Sequence, residues 1–114
     1  MAQEKPLPVE ILTTFPAVDE AKVDALLKEE LKKLTPKIVV LDDDPTGVQT
    51  VHDISVYTDW TVDTLVQGFE EPGSMFFVLT NSRGMTVPQT TAAHKEIAQN
   101  VFDAAQKTGK EYIL

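Results

Sequence analysis

Three adjacent carboxylates, Asp42, Asp43 and Asp44, follow the apolar run Ile38–Leu41 and precede the turn Pro45-Thr46-Gly47. Like charges side by side repel, so the cluster brings a fold nothing by itself. Carboxylates in this setting suit a metal ion, sugar hydroxyls or a phosphoryl group. One of them could also take a proton from a substrate hydroxyl as a general base. A second apolar run, Met75–Thr80, ends the same way in Asn81-Ser82-Arg83. A guanidinium there suits a two-pronged grip on a carboxylate or phosphate. Thr46 and Gly47 suit either a turn or the close approach of backbone N–H groups to a ligand. The candidate ligand-contacting residues are therefore Asp42, Asp43, Asp44, Thr46, Gly47, Asn81, Ser82 and Arg83. His52 falls in a loop, and His94 sits beside an apolar helix stripe, where a packed, hydrogen-bonded side chain is the expectation. No His/Cys metal spacing, Walker-type glycine loop or G-x-G-x-x-G is present, and no metal ligands are assigned.

These residues need elements to hold them. Four consecutive hydrophobes over Lys37–Leu41 fit a strand buried on both faces. On such a strand Asp42 and Asp44 share a side and Asp43 opposes them. Ile54–Thr58 reads as a weak second strand, Met75–Thr80 as a third and Glu111–Leu114 as the start of a fourth. Between them, Val62, Leu65, Val66 and Phe69 mark a short helix. Ala93, Ile97, Val101 and Ala104 mark a long one, opened near Pro88 and capped by Gly109. Upstream, Asp19–Leu34 carries Val23, Leu26, Leu27, Leu31 and Leu34 at helical spacing, with Asp19 as N-cap. Residues 1–18 hold Pro6, Pro8 and Pro16 and read as an irregular arm.

Strands alternating with helices predict a three-layer α/β domain with a mostly parallel sheet, Rossmann-like or flavodoxin-like. Ligands of such folds bind beyond the carboxyl ends of the strands, where both polar tips lie. Tyr112-Ile113-Leu114 reads as a strand cut off before its polar tip, so the domain is expected to be incomplete at the C-terminus and the chain to be truncated. An unfinished edge strand favours a homo-oligomer.

The 114 residues suit one domain, with 42% hydrophobic and 25% charged content and a net charge of −8. That balance argues against nucleic acid as a partner, because phosphate neutralisation needs clustered Lys and Arg. The chain has no cysteine, no secretory pattern and no apolar run of the roughly 20 residues that span a bilayer. A cytoplasmic protein with no membrane partner is the expectation.

Residues from about Lys37 to Leu114 resemble the N-terminal domain of the four-carbon acid sugar kinases, ATP-dependent enzymes acting on threonate, erythronate and related tetronates. Leu41-Asp-Asp-Asp-Pro-Thr-Gly47, Gln49-Thr-Val-His-Asp53 and Leu79-Thr-Asn-Ser-Arg83 carry the resemblance, with Ala93-His94-Lys-Glu-Ile97 and Thr108-Gly109 in support. The family motif Asp-Asp-x-Thr-Gly falls on Asp43, Asp44, Thr46 and Gly47. The resemblance implies that Asp43 and Asp44 hold or activate sugar hydroxyls and that Arg83 holds the acid group. It also implies ATP and Mg2+ as cofactors, bound on a separate C-terminal nucleotide domain absent from this chain. Residues 1–36 are then an arm and helix, 37–114 the first part of the acid-sugar-binding domain, and the chain alone is inactive. A rival pattern is that of the haloacid-dehalogenase-like, Mg2+-dependent phosphatases, with Asp42 as nucleophile, Asp44 as general acid and Thr80 ending the second motif. A third reading is a non-catalytic module binding small hydroxy acids.

Overall fold

The computed structural model describes residues 5–114; Met1–Glu4, the start of the arm, lie outside the described residues. The chain divides into two compact units, one ending at Lys33 and the other spanning Leu34–Leu114.

In the first unit the arm is not wholly irregular. Val9–Thr14 winds into a 3-10 turn, because its hydroxyls, Thr13 and Thr14, bond back to the carbonyls of Glu10 and Ile11. Helix α1 runs Glu20–Leu31. Asp19 caps it by accepting the Lys22 N–H at 3.0 Å. Lys32 and Lys33 pair with Glu29 and Glu30 one turn earlier, where cations suit the helix C-terminus. The helix ends three residues short of Leu34. Its apolar stripe does not form a core: Val23, Leu26, Leu27 and Leu31 each stay about half exposed.

The second unit is a four-stranded parallel sheet: β1 (Lys37–Asp42), β2 (Val56–Tyr57), β3 (Met75–Leu79) and β4 (Tyr112–Ile113). Their order across the sheet is β2-β3-β1-β4. Helix α2 (Val62–Glu70) joins β2 to β3, and α3 (Val87–Thr108) joins β3 to β4. Both connections step across the sheet in one direction, so right-handed crossovers place both helices on one face. There Leu65 and Phe69 from α2 and Ile97, Val101, Ala104 and Ala105 from α3 bury Val39, Phe76 and Val78. Two of the three expected layers thus form within this unit. β2 is shorter than the Ile54–Thr58 expected, because an edge strand pairs on one side only and just Val56 and Tyr57 find partners in β3.

Thr86 and Gln89 cap the start of α3, and Gly109 closes it in the left-handed region. Gly68 lets α2 lie directly on the sheet, since a Cβ there would stand 2.8 Å from the Phe76 ring. Phe76 also meets Phe69 and Tyr57 edge-on, with centroids 5.5 and 5.7 Å away. At the far end of β1 the buried Lys37 ammonium donates to the carbonyls of Glu71 and Gly73. Burial holds its pKa below the ordinary lysine value.

Candidate functional site

β1 and β3 are neighbours, with Asp42 paired against Leu79. Their carboxyl ends therefore stop at the same level, and the two polar tips meet. The Thr80 N–H continues the ladder by donating to the Asp42 carbonyl at 2.8 Å, and the Arg83 N–H donates to the Asp43 carbonyl at 3.1 Å.

The three carboxylates take three different surroundings. Asp42, the last residue of β1, is only 8% exposed. Its Oδ1 accepts the Asp44 N–H at 3.3 Å, while its buried Oδ2 has no hydrogen-bond partner. The carboxylate lies flat against Gly47, where a Cβ would stand 2.4 Å from Oδ2. The close approach that Gly47 permits is thus made by the protein's own carboxylate.

Asp43 and Asp44 both turn to Arg83. Strand alternation would have parted them, but β1 ends at Asp42 and the loop resets the geometry. Asp43 receives Nε at 3.1 Å and Nη2 at 3.0 Å, a two-pronged pair. Asp44 Oδ2 lies 3.1 Å from Nη1. The other oxygen of Asp44 accepts both the N–H and the hydroxyl of Thr46. Those two bonds, and then the Arg83 charge, hold the Asp44 carboxyl below its ordinary pKa. Arg83 is raised in turn, first by its bonds to Asp43.

The third group is a buried hydroxyl chain centred on Ser82, a predicted contact residue, and it reaches His94, which the sequence reading did not join to the site. Thr80 Oγ1 donates to the Asp42 carbonyl at 3.0 Å and shares a 2.9 Å bond with Ser82 Oγ. His94 Nε2 reaches Ser82 Oγ at 3.3 Å. Ser82 is therefore buried and committed inward, whereas Asn81 is exposed and holds a left-handed backbone (φ 51°). The signal for His94 was its place three residues before Ile97, on the inward side of α3. His52 bonds to Asp53 on the open surface, with both side chains over 90% exposed.

The rim is an open polar surface. A hollow of about 370 Å³ lies at the opposite, amino end of the strands and is lined by Lys37, Glu71, Gly73 and Lys110 among others. Among the described residues no three His, Cys, Asp or Glu side chains group to hold a metal ion. Asp43 and Asp44 face Arg83 and Thr46. The phosphatase pattern fails here on geometry, because its nucleophile needs an open face and the Asp42 carboxylate is packed under Gly47.

Residues 38–114 match the family described as the sugar-binding N-terminal domain. That match covers more than half of the chain. The protein therefore belongs to this family, the N-terminal domain of the four-carbon acid sugar kinases. No individual curated protein and no solved structure gives a significant match.

Proposed function

We propose that residues 37–114 form the acceptor-binding part of an ATP-dependent kinase for four-carbon acid sugars. The convergence of Asp43, Asp44 and Arg83 at the carboxyl ends of β1 and β3 carries this reading, inside the segment that matches the family. Carboxylates fixed at a sheet rim accept hydrogen bonds from vicinal hydroxyls, and in this reading either Asp43 or Asp44 takes a hydroxyl proton during transfer. Asp42, Thr46, Gly47, Asn81 and Ser82 shape the rim around them. ATP and Mg2+ are assigned to a separate nucleotide domain. No described helix is long and apolar enough to cross a membrane.

The test is titration of the 15N-labelled chain with threonate. Shifts centred on the amides of residues 42–47 and 80–84, with an affinity of about millimolar or weaker, are expected. Shifts confined to another surface, or none, overturn the reading. The chain alone should show no ATP turnover with any tetronate, and turnover would place the nucleotide site within it.

A further inference from the structure

We infer that Arg83 braces the aspartates rather than gripping the ligand's acid group, and that this rim reads the neutral hydroxyl-bearing end of the sugar. The inference rests on the sugar-binding reading and refines it.

A carboxylate docks best on the side-on edge of a guanidinium, where Nε and one Nη donate in parallel. In this chain that edge is taken. Asp43 occupies it with both oxygens, at 3.1 and 3.0 Å. Asp44 Oδ2 stands 3.1 Å from the remaining nitrogen, Nη1. Two of the five guanidinium N–H donors bond to Asp43, and Nη1 is ion-paired with Asp44. The main chain repeats the tie, since the Arg83 N–H bonds to the Asp43 carbonyl. Side chain and backbone of one residue thus clamp one aspartate from two directions. That is how a support is built.

Charge points the same way. One guanidinium faces Asp43 and Asp44, with the Asp42 carboxylate behind them. A ligand carboxylate approaching this rim meets more negative than positive charge. A hydroxyl meets acceptors. Asp43 is half exposed and Asp44 about a quarter exposed, and each keeps lone pairs beyond those used by Arg83 and Thr46. The buried Asp42 carboxylate, whose Oδ2 has no partner, is closed to the ligand and adds only negative charge behind the rim. The ligand's acid group is then held away from Arg83.

Two four-carbon probes separate the roles: threonate, which carries the acid, and threitol, which does not. Both are titrated by NMR into the wild-type chain, Arg83→Gln, Arg83→Lys and Asp43→Asn. A brace predicts that wild type binds both probes within about threefold of each other, as expected when no strong charge contact separates them. Arg83→Gln should weaken both by the same factor. Arg83→Lys should do likewise, because an ammonium cannot clamp two oxygens side by side. Should Arg83→Gln not fold, Arg83→Lys carries the comparison. Asp43→Asn frees the guanidinium and should raise the threonate preference, by about threefold for an exposed ion pair. Loss of threonate binding alone in either Arg83 variant, with threitol unchanged, overturns the brace and leaves the sugar site standing. Wild-type resonances that move with neither probe overturn the sugar site and this inference together.

Discussion

Helices α1 and α3 were read from the same kind of pattern and ended in opposite states. Each carries hydrophobes at helical spacing and each has a capped N-terminus. α3 buries Ile97, Val101, Ala104 and Ala105 against the sheet, whereas α1 buries none of its residues. Periodicity names the face a helix would bury. It does not supply the partner surface, and without one the stripe contributes little to stability. α3 has that partner because two crossovers of one hand bring it beside α2, over β1 and β3.

Substitutions sharpen the contrast. The largest effect is expected from Phe76→Ala, which empties the centre of the helix–sheet interface. It should cost about 3–5 kcal/mol in a urea unfolding series. A cost below about 1 kcal/mol would mean that this core is not the source of the domain's stability. Gly47→Ala should follow. Its methyl group cannot coexist with the Asp42 carboxylate at its present position, so about 1–3 kcal/mol is expected, as for other overpacked sites. The aspartate loop should move with it, seen as shifted amides over residues 42–47. An unchanged loop would show that Asp42 does not pack under Gly47. Smallest is Leu27→Ala on α1, expected to stay within about 0.5 kcal/mol, as surface substitutions do. A loss of 2 kcal/mol or more would reveal that the α1 stripe is covered in solution, and the contrast between the two helices would collapse.

Much of the second unit was legible residue by residue. β1, α2, β3 and α3 lie within a residue or two of their expected bounds, because long apolar runs and strong caps leave few alternatives. The meeting of the two polar tips was legible too, since parallel neighbours end at one rim. The details of that rim were not. Alternation placed Asp43 opposite Asp44, yet both reach Arg83, because where a strand stops depends on its partner's last hydrogen bond. Gly47 read as a turn residue or an approach point for a ligand; it sits in the turn after Asp44, and the group that approaches it is Asp42. His94 read as a packed, hydrogen-bonded residue, and it is one; its partner was not legible. Its bond to Ser82, and through Thr80 to the Asp42 carbonyl, joins residues far apart in the chain.

Local order came from the sequence unaided: which segments are strands or helices, where they are capped, and which residue types stand at the strand ends. Those depend on neighbours within a turn or two of the chain. Tertiary structure alone decided which apolar stripe is buried, which carboxylate is packed away and which ones Arg83 holds. Each of these is a contact between segments distant in sequence, and its strength depends on burial and distance, quantities that come into being only when β1, β3 and α3 come together.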